Sequence, residues 1–339
     1  MRESVDKIII TNLPSFYKIN LYNEINKSCK LLVIYTWDHL YGRNQDFFDG
    51  TSQFNYVHLK KGRFSRIFQI MKIILSTNYK ELILSGWDSV PLWIGALISS
   101  KPKNSIVVES SLYESSTTGI KGIAKRLFLS RVSKVYASGK SQKALVEKLG
   151  FNNNIVITKG VGIFNYISQP PYSERTQVSK FLFVGRLTAV KNLHLLIRVF
   201  NDLPNCELTI VGFGELEFEL KSMTSQNIKF LGAVPNKHLN KVYQEHDVFI
   251  LPSYSEVWGL VVEEALNNGL PVIVSDRVGC AEEIIEDGKN GLIFKNNDAD
   301  SLRYCIRQIQ NIKLYNNMRK NISELDFEEI ERSQTQCYI

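Results

Sequence analysis

Two glutamates with a glycine between them carry the clearest chemistry in the sequence. Glu256 lies in a stretch of turn-forming residues, Gly259 stands directly before a helical pattern, and Glu264 lies more than one turn inside that pattern. The N–H groups at the start of a helix lack partners and carry about half a positive charge, so they suit a phosphate, and a glycine leaves them accessible. Carboxylates only accept hydrogen bonds, so the two glutamates suit hydroxyl groups on either side of a bound diphosphate.

A second group of polar side chains follows a predicted strand further upstream. This strand, at residues 180–184, ends in Gly185. Arg186 and Lys191 come next, with a helical pattern behind them, and two cations at the carboxyl end of a strand can neutralise a departing diphosphate. Taken singly, each glutamate also fits a solvated helix face or a cap, and each cation fits an ordinary surface position. Their combination favours an anion-binding site.

The elements that position these residues alternate between short apolar strands and longer helical patterns. The strands are apolar on both faces, which is typical of a parallel sheet covered by helices on both sides. Repeated strand–helix–strand units predict α/β, doubly wound domains, in which ligands bind at the carboxyl ends of the strands. The predicted strands are Lys7–Thr11, Lys30–Tyr35, Glu81–Ser85, Ser105–Glu109, Lys134–Ala137, Asn154–Thr158, Lys180–Val184, Glu207–Val211, Ile228–Leu231, Val248–Leu251 and Pro271–Ser275.

The chain of 339 residues is long enough for two domains. Strand patterning stops before the polar stretch Ser168–Glu174 and resumes at Phe181. Two adjacent prolines in this stretch continue neither a helix nor a central strand. We predict an N-terminal domain over residues 1–168, a C-terminal domain over 176–312 and a C-terminal helical tail over 313–339.

Composition places the chain among ordinary globular proteins. Hydrophobic residues make up 44% and charged residues 22%, which excludes a disordered chain and a small disulfide-stapled scaffold. The five cysteines are widely spaced without a C-x-x-C motif, and the histidines show no ligand spacing. We therefore expect no metal site and a reducing, cytoplasmic location. The N-terminus does not read as a signal peptide, and no apolar run reaches the roughly 18 residues that span a bilayer.

The net charge of +7 is unevenly distributed. Residues 1–170 hold 23 Lys and Arg against 11 Asp and Glu, whereas the remainder holds 18 against 23, so the first half implies an anionic partner. Its stretch Gly119–Lys134 mixes basic and apolar residues at helical spacing, and residues 60–66 add further cations. This half could lie on anionic lipid, and a solvated amphipathic helix over the sheet fits equally well. No RNA- or DNA-binding motif is recognised, so nucleic acid is not an expected partner.

The segments around Gly185 and Glu256 together resemble the retaining glycosyltransferases of family 4, which have the GT-B fold. The family element V-G-R-L…K-N is matched by residues 184–192, the E-x7-E element by residues 256–264, and G-x-P-V-I by residues 269–273. The likeness covers nearly all of residues 180–310. It implies two Rossmann-like domains with parallel sheets facing across a cleft, with the donor on the second domain and the acceptor on the first.

The resemblance implies roles for individual residues of the second domain. Arg186 and Lys191 would grip the donor diphosphate. Glu256 would contact the donor sugar, and Glu264 would accept hydrogen bonds from the nucleotide ribose. The further positions that it assigns to the donor nucleotide are Gly259, Leu260, Gly185, Gly212, Ala233 and Val234. It implies no metal and no cofactor besides the nucleotide sugar itself, with a UDP-sugar favoured.

Three positions depart from the family pattern. Trp258 stands where the family usually has Phe, and Thr11–Ser15 lack the glycines that many members carry after the first strand. Many members also place a His near the position of Glu109. We count Glu109 as a fourth catalytic candidate, next to the two cations and Glu256, because it could bind an acceptor hydroxyl. A buried structural glutamate is an equally open interpretation.

On this resemblance we expect a metal-independent, retaining glycosyltransferase of hexosyl type. It would move a sugar from a UDP- or GDP-sugar to a hydroxyl of a glycan or lipid-linked acceptor, in the assembly of cell-surface polysaccharide such as capsule or lipopolysaccharide. We expect it in the cytoplasm, with peripheral contact to the inner face of the membrane. The alternatives are a GT-B epimerase, for which no acid–base His can be assigned, and a non-catalytic nucleotide-sugar-binding subunit, against which the intact set of cations and acids argues.

Overall fold

The computed structural model describes residues 4–36, 45–60 and 62–339. The chain forms two compact units. The first comprises residues up to Ile163 together with Glu328–Ile339, and the second comprises Phe164–Phe327. Of the basic residues noted at positions 60–66, Lys61 and the side chain of Arg63 lie outside the described part of the chain.

Within the described residues, the sheet of the first unit has seven parallel strands in the order β3-β2-β1-β4-β5-β6-β7. Since the chain runs outward from β1 in both directions, the order reverses between β1 and β4, as in a doubly wound domain. The strands are β1 Lys7–Thr11, β2 Leu31–Tyr35, β3 Asn55–His58, β4 Glu81–Ser85, β5 Asn104–Val108, β6 Lys134–Ala137 and β7 Ile155–Ile157.

Helices cover both faces of this sheet and form two hydrophobic cores with it. One core contains the buried side chains of α2 to α5, and the other contains those of α1 and, from the end of the chain, Tyr338. The helices are α1 Phe16–Ser28, α2 Arg63–Ser76, α3 Val90–Ile98, α4 Gly119–Leu129 and α5 Lys140–Lys148. Burial on both faces explains why these strands are apolar throughout.

The second unit repeats this architecture with six parallel strands in the order β10-β9-β8-β11-β12-β13. The order reverses between β8 and β11. The strands are β8 Lys180–Val184, β9 Glu207–Val211, β10 Ile228–Gly232, β11 Val248–Leu251, β12 Val272–Ser275 and β13 Gly291–Phe294. The helices are α6 Leu193–Asn201, α7 Glu217–Ser222, α8 Asn236–Gln244, α9 Leu260–Asn267, α10 Ala281–Ile284, α11 Ala299–Ile309 and α12 Ile312–Ser323. The prediction of α/β, doubly wound domains is confirmed.

The end of the chain divides differently from the sequence-based boundaries. The last helix, α13 Phe327–Gln336, leads back to the first unit, whereas the sequence grouped residues 313–339 as one tail. Tyr338 stacks on Tyr136 of β6 with ring centroids 4.5 Å apart, and the Gln334 amide donates to the Lys159 carbonyl at 2.8 Å. Helical spacing shows that such a segment has an apolar side, but not which sheet that side covers.

Two edge strands, β3 and β13, are not among the strands that the sequence predicts. The sequence of β3 is Asn-Tyr-Val-His, and three of its four residues are exposed, so it lacks the continuous apolar run of a central strand. The other, β13, has only four residues and opens with a glycine. Across the described residues, no helix is both long and apolar enough to span a bilayer.

Candidate functional site

Two loops meet where the strand order of the second sheet reverses. β8 lies beside β11, with Leu182 opposite Phe249, so the loops that follow these strands leave the same edge of the sheet. The backbone N–H of Tyr254 donates to the carbonyl of Val190 at 2.8 Å and ties the two loops together. Because ligands of open α/β sheets bind at this topological position, the predicted residues lie where the fold favours a ligand site.

The predicted diphosphate-binding Lys191 and the predicted sugar-binding Glu256 form an ion pair at this position. Their side chains are 12% and 19% exposed, so the pair is largely shielded from water. Lys191 ends a short 3₁₀ turn, and Asn192 follows it with a φ of 54°, in the left-handed region. Arg186 is exposed and has no ion-pair partner among the described residues. The site thus combines a cation that holds an acid with a second cation that faces solvent.

The loop after β12 fixes the backbone of Glu256. The N–H of Glu256 donates to the carbonyl of Arg277 at 3.1 Å, and its carbonyl accepts from the N–H of Gly279 at 2.9 Å. A Cβ on Gly279 would collide with the carbonyl of Val257, so only glycine permits this close approach. Glu256 therefore has a fixed backbone as well as a charged partner for its side chain.

Glycines bring the loops after β8, β9 and β10 into backbone contact. The N–H of Gly185 donates to the carbonyl of Val211 at 3.0 Å, and that of Gly212 donates to the carbonyl of Gly232 at 2.8 Å. Gly212 has a φ of 129°, and a Cβ there would collide with the carbonyl of Gly185. Both positions thus have a packing role, besides the donor contact that the sequence predicts for them.

The predicted base-side residues lie at the same edge of the sheet. Ala233 and Val234 directly follow β10, which pairs with β9, the strand that leads to Gly212. Ala233 is exposed and Val234 is half-buried. Both side chains are thus accessible to a ligand.

The N-terminus of α9 stands beside the ion pair. Gly259 precedes the helix with a φ of 103°, and Leu260 begins it. Trp258, the departure from the family Phe, is fully buried, and its indole Nε1 donates to Glu263 Oε2 at 2.9 Å. The larger aromatic side chain is therefore satisfied inside the unit. In the first turn of α9, the N–H of Val262 donates to the Gly259 carbonyl at 2.8 Å, and the N–H groups of Leu260 and Val261 lie before the first intrahelical bonds and suit an anion.

Glu264 has a very different environment from Glu256. It accepts a hydrogen bond from the Tyr243 hydroxyl at 3.0 Å. Burial raises the pKa of Glu264 to about 7, although the hydrogen bond from Tyr243 acts in the opposite direction. Tyr243 was not found by sequence reasoning. Its one signal is its spacing from Leu239 on the buried side of α8, which indicates a core tyrosine whose hydroxyl needs a partner.

The acceptor-side candidate Glu109 directly follows β5 in the first unit and pairs with Lys18 of α1 at 2.9 Å. Lys18 is only 7% exposed. Burial lowers the pKa of its ammonium group, but Glu109 and the nearby Tyr17 and Tyr22 outweigh this effect, so its pKa is raised overall. The Gln142 amide donates to the backbone carbonyl of Glu109 at 3.0 Å. Lys18 was also missed from the sequence, where its only signal is a cation among the buried positions of α1.

No group of three His, Cys, Asp or Glu side chains that could hold a metal ion occurs within residues 4–36, 45–60 and 62–339. The site at the switch point of the second sheet consists instead of two cations, two acids and a helix N-terminus.

Comparison with known proteins identifies relatives over the second unit and over most of the chain. A family model described as glycosyl transferases group 1 matches residues 168–325. The O-antigen biosynthesis glycosyltransferase WbnH of Escherichia coli is 31% identical over 286 residues, which cover 82% of this chain and 81% of that protein. The sulfoquinovosyl transferase SQD2 of Arabidopsis thaliana is 32% identical over 154 residues. That match covers 44% of this chain and 30% of the relative.

Solved structures share the fold over almost the whole chain. The lipopolysaccharide outer core galactosyltransferase WaaB in its apo form has a TM-score of 0.74 at 16% identity, with 98% of each chain covered. Anabaena Alr3699/HepE in complex with UDP-glucose has a TM-score of 0.72 at 15% identity, again with 98% of each chain covered. These likenesses confirm the predicted GT-B fold class.

Replacing Glu264 by Gln tests the electrostatic environment of this residue. Because the pKa of Glu264 is raised in the folded protein, folding favours its protonated form. Its contribution to the free energy of unfolding is therefore fully present below its usual pKa and is lost as the pH rises through about 7. One pKa unit corresponds to about 1.4 kcal/mol, and about 1 kcal/mol shifts the melting temperature of a unit of this size by roughly 2–4 °C. The melting temperature of Glu264→Gln relative to wild type should therefore rise by about 3 °C or more between about pH 5 and pH 8. The control is Glu324→Gln at an exposed position. If the melting temperatures of Glu264→Gln and wild type differ by the same amount at both pH values, the raised pKa of Glu264 is contradicted.

Proposed function

The chain belongs to the family of group 1 glycosyl transferases, and from this premise we propose that it transfers a sugar from a nucleotide-sugar donor to a hydroxyl of a glycan or lipid-linked acceptor. The observation that carries the proposal is the shielded pair of Lys191 and Glu256 beside the exposed Arg186 and the first turn of α9. A nucleotide sugar presents a diphosphate next to a hydroxyl-rich ring, and this site offers cations and acids side by side.

The cations act on the leaving group in the proposed reaction. The bond between the anomeric carbon and the diphosphate oxygen breaks, the acceptor oxygen bonds to that carbon, and the acceptor proton passes to the departing diphosphate. Arg186, Lys191 and the N–H groups at Gly259 and Leu260 would stabilise the negative charge that develops there. Because the surrounding backbone already fixes these groups, little reorganisation is required of them.

The two acids act on hydroxyl groups of the donor. Glu256 pairs with Lys191, and its remaining oxygen lone pairs can accept hydrogen bonds from the sugar. Glu264 would accept hydrogen bonds from the ribose, and donation by two hydroxyls favours its ionised form over the neutral one. Gly185, Gly212, Ala233 and Val234 would contact the rest of the nucleotide. A UDP-sugar is the proposed donor, because a structural neighbour, Alr3699/HepE, has been solved with UDP-glucose.

The proposed process is the assembly of cell-surface polysaccharide or lipopolysaccharide. The names of the relatives support it, since WbnH is described as an O-antigen biosynthesis glycosyltransferase and WaaB as a lipopolysaccharide outer core galactosyltransferase. We place the enzyme in the cytoplasm, where nucleotide sugars would reach it, with its basic first unit in peripheral contact with the membrane.

The proposed acceptor site is the carboxyl edge of the first sheet, at Glu109. Lys18 is fixed by burial and holds one carboxylate oxygen of Glu109, and 31% of the Glu109 side chain stays exposed. The remaining oxygen lone pairs can accept a hydrogen bond from an acceptor hydroxyl and orient it. Lys18 would thus be a positioning residue that acts through Glu109.

The donor assignment is tested with Lys191→Ala. Loss of this cation should lower kcat with a UDP-sugar about 100-fold or more, which is the effect of removing one preorganised group at a developing charge. The matched control is Arg198→Ala, which removes an exposed cation from α6 of the same unit. Transfer is measured by UDP release with a panel of free and lipid-linked oligosaccharides, and folding by melting temperature. Near-wild-type transfer by folded Lys191→Ala would show that the site is misassigned.

The stereochemistry and the metal requirement are tested on the product. With an α-linked UDP-sugar, the anomeric coupling constant in the proton NMR spectrum should report an α-linked product, and activity should persist in EDTA. A β-linked product contradicts retention, and activity that EDTA removes and a divalent cation restores contradicts metal independence. A changed sugar that forms without an acceptor would favour the epimerase, and donor binding without any turnover would favour the non-catalytic subunit.

The acceptor site is tested with Glu109→Gln and Lys18→Met. Glu109→Gln should raise the KM for the acceptor about tenfold and leave the Kd for the donor unchanged. Lys18→Met leaves the half-buried Glu109 carboxylate without the cation that orients it, so the KM for the acceptor should rise as in Glu109→Gln while kcat and the Kd for the donor change little. Lys18→Arg should restore the KM for the acceptor, and Lys143→Met serves as the control at an exposed ion pair. A folded Lys18→Met enzyme with a wild-type KM for the acceptor would limit Lys18 to a structural role.

A further inference from the structure

The loop that follows β4 carries a tryptophan and an aspartate next to the proposed acceptor site. β4 lies beside β1 in the sheet of the first unit, so this loop leaves the sheet where its strand order reverses. Gly86 turns the chain directly after the strand with a φ of 103°, and Trp87 and Asp88 follow it. Ligands of open α/β sheets bind at this topological position, and the proposed donor reaction uses neither side chain.

Trp87 has a fixed position and a partly accessible indole. Its backbone carbonyl accepts a hydrogen bond from Nε1 of Trp93 on α3 at 2.9 Å. The indole packs against the core of α2 to α5 and stays half-buried, and Nζ of Lys125 lies 5.5 Å from the centre of its ring. Lys125 is itself held by the Ser115 hydroxyl and the Ser116 carbonyl, in the loop after β5. A rigid, half-exposed aromatic ring can pack against the C–H groups of a sugar ring.

Asp88 is an exposed acid whose carboxylate has no hydrogen bond or ion pair among the described residues. It directly precedes Ser89, the N-cap of α3, and the positive end of the helix dipole favours a negative charge there. Within the described part of the chain, neither a helix cap nor a salt bridge accounts for this side chain. Its oxygens can therefore accept hydrogen bonds from the hydroxyl groups of a ligand.

Glu109 lies at the same edge of the sheet but is held from the other face. β5 pairs with β4, so the loops that carry Glu109 and Trp87 start from neighbouring strands about 4.8 Å apart. Trp87 packs on the face that α2 to α5 cover, whereas Lys18, the partner of Glu109, lies on α1, which packs against the opposite face. A ligand at this edge therefore meets the loop of Trp87 and Asp88 on one side and Glu109 on the other.

We propose that Trp87, Asp88 and Glu109 bind the terminal sugar of the acceptor, and that this sugar is uncharged. Its ring packs on the Trp87 indole, one hydroxyl donates to Asp88, and the hydroxyl that receives the transferred sugar donates to Glu109. Because Asp88 has no ion-pair partner among the described residues, it repels a phosphate or carboxylate group on this sugar. The inference deepens the proposed function, on which its acceptor role rests, because it names the acceptor as a glycan that ends in a neutral sugar rather than a lipid alcohol.

The test is calorimetric titration of the full chain with oligosaccharides in the absence of donor. The neutral probes end in glucose, galactose or N-acetylglucosamine, and the charged probes are matched oligosaccharides that end in glucuronate or galacturonate. At least one neutral probe should bind wild type more tightly than its charged counterpart. Trp87→Ala should raise the Kd of that probe about tenfold, whereas Trp87→Phe keeps an aromatic ring and should stay within about threefold of wild type. Asp88→Asn should raise this Kd about threefold and should narrow the preference for the neutral probe.

The matched controls lie in the same unit. Tyr56→Ala removes a 51% exposed aromatic ring from β3, and Asp49→Asn neutralises another exposed acid, so both should bind the probes like wild type. The inference is overturned if wild type binds no neutral probe or binds neutral and charged probes equally. An unchanged Kd in folded Trp87→Ala or in Asp88→Asn also overturns it. Should the melting temperature show that Trp87→Ala does not fold, the exposed Asp88→Asn decides the outcome.

Transfer assays keep this inference apart from the proposed function. Sugar binding that depends on Trp87, without any transfer from a UDP-sugar, removes the proposed transfer and leaves the sugar-binding site. Transfer by Trp87→Ala with a wild-type KM for the acceptor removes the sugar-binding site and leaves the proposed transfer. The donor site lies in the other unit, so the Kd for the donor should be the same in wild type and in all of these variants.

Discussion

The ion pair between Lys191 and Glu256 is the interaction on which the candidate donor site depends. Each charge is mostly shielded from water, so either one alone would carry a desolvation cost that its partner offsets. The pair can form because β8 and β11 are neighbours, although their loops are distant in the sequence. The glycine-dependent contact at Gly279 then fixes the backbone of Glu256. Sheet topology thus creates the site, and close backbone packing makes it rigid.

The two acids of the E-x7-E element have different surroundings. Glu256 lies against a cation, whereas Glu264 accepts a hydrogen bond from a tyrosine hydroxyl, and burial raises the pKa of Glu264 to about 7. Such different environments suit the two acids to different tasks. In the proposed donor complex, a carboxylate that titrates near neutrality would couple ribose binding to proton release, and this would link donor affinity to pH through Glu264.

The sequence predicts much of this fold and part of the site, for identifiable physical reasons. Central strands such as β8 are buried on both faces and give continuous apolar runs, whereas the exposed edge strand β3 gives none. Arg186 and Glu256 could be found because they lie in loops that follow strands, and the α/β topology brings such loops together. Tyr243 and Lys18 could not be found from the sequence, because they reach the sites from helices. The local sequence of a helix indicates which of its sides is buried, but not which residues of other elements that side contacts.

Helix α4 of the first unit shows that helical periodicity alone does not determine which side of a helix faces the sheet. The spacing of Ile120, Ile123 and Leu127 defines a stripe, but a stripe does not state whether sheet or solvent lies against it. Burial identifies the inward side of α4, since Gly122, Phe128 and Leu129 are its buried residues and the stripe is exposed. A Cβ on Gly122 would collide with the Thr117 carbonyl in the segment just before the helix, so this glycine permits a close local approach at the start of α4. The orientation of the helix leaves apolar surface in water, which folding alone does not favour.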